Sequence, residues 1–117
     1  MIPQYTKNKM KNILKNSDIT YFEPQNASNY EGYGNSFYYK VGSRVHLHIG
    51  IKIENTANTQ VYTLPEKYRP FIIATAIGTG SSLSNFASVQ VDNNGKVYVN
   101  SQFGYANIDI EYDTLNN

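Results

Sequence analysis

Two histidines and three acids are the residues whose spacing points to chemistry. His46 and His48 stand two apart, and Asp109, Glu111 and Asp113 repeat that spacing near the C-terminus. In an extended strand, positions i and i+2 lie on one face. Two imidazoles on one face can bind zinc when a third ligand converges on them, and the sequence offers no third ligand. Three carboxylates on one face can hold calcium through oxygen, yet strand acids spaced this way more often meet water or neighbouring cations. Arg44, His46, His48 and Lys52 share the outer face of their strand and are opposite in sign to Asp109 and Glu111. These six residues are expected to meet across adjacent strands or between subunits, and they are assigned to a subunit interface. No metal is expected.

Catalytic constellations fare worse. Glycoside hydrolysis needs two carboxylates flanking one bond, one of them with a raised pKa; the nine acids here fall mostly at turns or on an alternating outer face. A Ser-His-Asp arrangement would have to draw on His46 or His48, both mid-strand beside arginine or lysine. There is no Gly-rich phosphate loop and no His-Glu-x-x-His motif, and no cysteine supplies a thiolate. The chain reads as a non-enzyme without a cofactor.

Binding is better served. Tyr30, Tyr33 and Asn35, then Asn85 and Phe86, then Gln102, Phe103 and Tyr105 all fall in stretches read as loops. Aromatic rings stack on the apolar faces of sugars, Asn and Gln bridge hydroxyls, and ligand residues favour loops on a rigid scaffold. The same residue types also serve as ordinary loop filler. Gly32 and Gly34 bracket Tyr33, which would allow positive φ and an exposed ring.

The elements that must position these groups are strands. From Arg44 to Glu54 every odd position is aliphatic and every even position is polar, charged or Gly. That is one long strand with a single dry face, of the antiparallel kind. Phe37–Val41 leads into it through Gly42-Ser43, a pair suited to a type II′ turn. Further strands are expected over Asp18–Glu23, Gln60–Leu64, Phe71–Thr79, Phe86–Asp92, Lys96–Asn100 and Ala106–Tyr112. Phe71–Thr79 is apolar or small on both faces, so it is expected to be covered on both sides or packed against a second copy. A loop of Asn93, Asn94 and Gly95 would pair Val91 with Val97 and Val89 with Val99, with Gly95 left-handed in a bulge. Pro65 and Pro70 exclude the intervening stretch from any sheet interior. About eight short strands give an all-β fold, an antiparallel β-sandwich of jelly-roll type.

Composition agrees. At 117 residues the chain fits one domain, 40% hydrophobic and 16% charged, with formal net charge +1. So even a balance gives no pull toward nucleic acid or an acidic membrane. Residues 1–17, rich in lysine and asparagine, are read as a stalk or linker, and 18–117 as the head domain. Met10, Ile13 and Leu14 have amphipathic spacing there, and no apolar block suggests a signal peptide. The longest apolar run is too short for a bilayer.

Phe37-Tyr38-Tyr39-Lys40-Val41-Gly42-Ser43-Arg44-Val45 followed by Leu64-Pro65-Glu66-Lys67-Tyr68-Arg69-Pro70 resembles the C-terminal head domains of bacteriophage tail-fibre and baseplate receptor-binding proteins. In those, a Tyr-x-Lys-x-Gly-x-x-Val hairpin precedes a Leu-Pro-x-x-Tyr-Arg-Pro turn, an apolar strand, an Asn-Gly-x-Val hairpin and a last strand. The order holds here from Phe37 to Tyr112. The resemblance implies a homotrimeric head at the tip of a virion appendage. It would join other tail or baseplate proteins and adsorb to saccharide on a host bacterial envelope, with no catalytic residues. Two alternatives stay open: a structural virion tip protein that binds no glycan, and a monomeric carbohydrate-binding module.

Overall fold

The computed structural model describes residues 18–54 and 57–115. Nine antiparallel strands form one hydrogen-bonded sheet: β1 (Thr20–Tyr21), β2 (Ala27–Asn29), β3 (Phe37–Val41), β4 (Arg44–Ile53), β5 (Thr59–Thr63), β6 (Ala74–Thr79), β7 (Phe86–Val91), β8 (Lys96–Ser101) and β9 (Tyr105–Asp113). Their order is β1-β3-β4-β9-β6-β7-β8-β5, and β2 pairs with the far half of β4 beyond β3. The only helical elements within these residues are single turns such as Glu31–Tyr33 and Glu66–Tyr68. The all-β class therefore holds. The stalk expected over residues 1–17 lies outside the described residues.

Instead of two separate sheets facing each other, the strands follow one path, and its two ends come together. Phe22, just after β1, stacks on Tyr62 of β5 with ring centroids 4.1 Å apart. Close by, the Gln25 amide donates to the Val61 carbonyl at 2.8 Å. The sheet thus curls around a single core. β4 supplies the spine of that core, its odd residues Val45 to Ile53 all buried. Opposite them on β9 stand Tyr112, Ile110, Ile108 and Ala106, in register pair by pair. The valines of β7 and β8 close the other side, with Val89 opposite Val99 and Val91 opposite Val97. Gly95 is left-handed at φ 83°, as the three-residue loop requires. At the β3–β4 turn Gly42 takes φ 60° while Ser43 stays negative, as a type II′ turn demands.

The Leu-Pro-Glu-Lys-Tyr-Arg-Pro stretch works as a plug. Leu64 is fully buried, and Tyr68 meets the Tyr38 ring edge-on at 4.7 Å. The Tyr68 carbonyl accepts the Tyr112 hydroxyl, and the Arg69 Nε donates to the Leu64 carbonyl at 3.1 Å.

Two expectations are corrected. The first strand shrinks to Thr20–Tyr21, while a short strand, β2, arises within Gln25–Ser36, a stretch whose Asn, Ser and Gly content reads as a loop. Phe71, Ile72 and Ile73 precede β6 instead of starting it, and all three are exposed. Ile77 within β6 is 75% exposed, so that strand is not covered on both sides within the chain. Its inner face carries only Ala74, Ala76 and Gly78, and at Gly78 a Cβ would collide with the Asn107 carbonyl of β9. Small residues there let two strands approach more closely than side chains would allow.

Candidate functional site

The outer face of β4 and β9 is a ladder of paired charge. Arg44 lies opposite Asp113, His46 opposite Glu111 and His48 opposite Asp109. His46 directs Nε2 to Asp109 at 2.9 Å and Nδ1 to Glu111 at 3.1 Å. His48 directs Nδ1 to the same Asp109 oxygen at 2.9 Å and Nε2 to the Tyr33 carbonyl at 2.6 Å. All four partners are acceptors. A neutral imidazole donates from one nitrogen only, whereas imidazolium donates from both, so the geometry selects the charged form. For His46, the Asp109 hydrogen bond raises the pKa against the opposing pull of burial. For His48, burial pulls the pKa down, and the bonds to Asp109 and to Tyr33 overcome it, leaving a net rise. Asp109 is held well below the usual carboxylate range by its two histidines. The Tyr39 ring stacks on His46 at 5.1 Å and Phe37 on His48 at 5.2 Å, placing π faces against both cations.

The opposite charges therefore meet within one chain, across adjacent strands. Arg44 reaches Asp113 at 3.4 Å and Glu111 at 3.8 Å, exposed pairs of small energetic weight. With every ring nitrogen turned to an acceptor, neither imidazole is oriented to bind a cation. Among the described residues no group of His, Asp or Glu is arranged to hold a metal.

At its far end the ladder gives way to tyrosine. Tyr30 and Tyr33, from the turn after β2, and Tyr105, at the start of β9, form an edge-to-face cluster with centroids 4.7, 5.4 and 6.2 Å apart. Lys52, paired with Tyr105 across the strands, holds its ammonium 5.8 Å from that ring. The turn carrying Tyr30 and Tyr33 is docked on β4 at Gly50. The Tyr30 amide donates to the Gly50 carbonyl at 2.9 Å, and the Gly50 amide donates to the buried Ser36 hydroxyl at 3.2 Å. A Cβ on Gly50 would lie 2.8 Å from the Tyr33 carbonyl. Tyr33 is half-buried, not exposed as the flanking glycines suggested, and its hydroxyl donates to the Gly80 carbonyl at 3.1 Å. Of the two glycines only Gly34 is left-handed.

Of the eight residues expected to bind ligand, the structure gathers three into this cluster. Asn85 sits beside it in the β6–β7 loop, bonded to Ser81 and Gly80 and so occupied in shaping that loop. Phe86 and Gln102 line a separate hollow with Ile77, Ser88 and Asn100. Phe103 is exposed in the β8–β9 turn, and Asn35 lines a shallow hollow with Tyr21 and Asn29. A groove of about 850 Å³ opens between β2 and β5 and shares Lys52 with the tyrosine cluster. Gly50 and Ser36 went unassigned in the sequence. A glycine inside an otherwise regular strand is the signal that another backbone approaches.

No protein-family model matches the chain, and no curated protein matches it.

Proposed function

We infer that this chain is the non-catalytic, homotrimeric head of a phage tail-fibre or baseplate receptor-binding protein, attaching a virion to saccharide on a bacterial surface. The observation that carries the reading is the convergence of Tyr30, Tyr33 and Tyr105, with Lys52, at one end of a rigid sheet. Aromatic rings held in place by backbone hydrogen bonds offer stacking area at small entropic cost. A groove of about 850 Å³ runs beside them, lined by Asn26, Ser28, Asn58 and Gln60 among others. Amide and hydroxyl groups of that kind suit sugar hydroxyls. The opposite end, beside the β7–β8 turn and Asp113, exposes Phe71, Ile72 and Ile73. Such a patch suits contact with sister chains or other tail proteins. Three copies would multiply weak individual sites into firm adhesion.

Retention on an array of bacterial surface glycans tests this. The wild-type chain should be retained on at least one glycan, and Tyr30→Ala and Tyr105→Ala should each weaken retention by about tenfold, the loss of one stacking contact. Equal retention of all three proteins, or none for the wild type, would overturn the reading. The second outcome would favour a structural tip protein.

A further inference from the structure

On the outer face of β6, β7 and β8 the side chains form a regular grid. Ile77 stands opposite Ser88 and Ser88 opposite Asn100; one step along, Thr75 stands opposite Gln90 and Gln90 opposite Tyr98. Two adjoining hollows of about 370 and 560 Å³ cover this grid and share Ile77, Ser88 and Asn100. Ser88, the smallest of them, lies at the centre where both hollows meet. Every residue lining either hollow is uncharged.

The chemistry here differs from that of the neighbouring ladder. On β4 and β9 the histidines, the acids and Arg44 are each bonded to a protein partner. Among the described residues, the side chains of Ser88, Gln90, Asn100 and Gln102 make no hydrogen bond to protein. Between them lie Ile77, 75% exposed, and Phe86, 68% exposed. Apolar surface left in water on a strand is unfavourable in proportion to its area. Here it alternates with uncommitted donors and acceptors across the outer face of three strands.

We propose that this trough is a second saccharide-binding site, taking a neutral oligosaccharide of two or more units. Adjacent strands are about 4.8 Å apart, so three strands span about 10 Å, the length of two pyranose rings. The apolar face of one ring rests on Ile77 and Phe86, that of the next on Tyr98, and their hydroxyls reach Ser88, Gln90 and Asn100. The absence of charge on the walls favours an uncharged glycan over an acidic one. The proposal rests on the saccharide-binding reading of the head but assigns a surface away from the tyrosine cluster.

The test is a titration of the ¹⁵N-labelled full chain with maltose, cellobiose and chitobiose and their trisaccharides, followed by amide shifts. With at least one of these, the amides of Ile77, Ser88 and Asn100 should shift saturably with a Kd on the order of 1 mM. Ser88→Arg, at an exposed position, should weaken that binding by about tenfold or more, and Glu66→Gln, exposed in the Pro65–Pro70 turn, should leave it unchanged. Shifts confined to Tyr30, Tyr33 and Tyr105 would overturn the trough and keep the head's saccharide reading. Shifts at Ser88 that follow protein concentration without sugar would assign the face to a second copy and overturn the proposal, as would no saturable shift with any of the six sugars.

Discussion

At the scale of single residues, protonation is the property the fold controls most tightly. His46 and His48 both have pKa values raised above the ordinary 6.5. A group whose pKa rises on folding stabilises fully below its unfolded value, and the contribution is lost as pH climbs through the folded one. Asp109, depressed, behaves oppositely and contributes above about pH 4, fading only in stronger acid. The ladder is therefore strongest between about pH 4 and pH 6.5. The Tm should be higher at pH 5.5 than at pH 8.5, and His46→Gln with His48→Gln should shrink that difference. A double variant with the wild-type pH dependence would show that the ladder carries none of it. Strand alternation made legible which residues share this outer face and that their signs are complementary. It could not show that one Asp109 oxygen serves two imidazoles, because that depends on the register of strands some sixty residues apart.

At the scale of elements, the docking of the Tyr30–Ser36 segment on β4 turns on one missing side chain. Gly50→Ala should favour the strand slightly through lower chain entropy, yet its methyl would meet the Tyr33 carbonyl at 2.8 Å and the His48 ring at 3.2 Å. The segment should lift, so hydrogen exchange at the Tyr30 amide, bonded to Gly50, should accelerate about tenfold or more while the β4–β9 amides keep their protection. Unchanged exchange at Tyr30 would mean that the docking tolerates the methyl. Hairpins such as β7–β8 were readable residue by residue, since turn chemistry and a period of two settle register locally. The short β2 was not. Ala27-Ser28-Asn29 has no strand pattern and pairs only because β4 offers an edge beyond the end of β3.

At the scale of the whole molecule, the two ends differ. Loops around Tyr30, Asn85 and Phe103 gather at one end, and Phe71, Ile72 and Ile73 project near the other. In sequence those three look like core, because composition does not distinguish apolar residues facing inward from those left for a partner. If they join copies, light scattering should give a concentration-independent trimer, and Ile72→Asp should reduce it to monomer with the circular dichroism of the fold intact. A wild-type monomer at every concentration would remove the trimer from the proposed function. The strand order also has a consequence in time. β9 lies between β4 and β6, yet it is the last of the described strands to be synthesised. Until it arrives, β4 carries an open edge flanked by five aliphatic side chains, a template for pairing with other chains. Pairing Arg44 with Asp113 also closes a long loop, and topologies of that kind fold in roughly milliseconds to seconds. A nascent chain halted before Tyr105 should therefore aggregate, and chaperone dependence during synthesis should end abruptly when β9 is released.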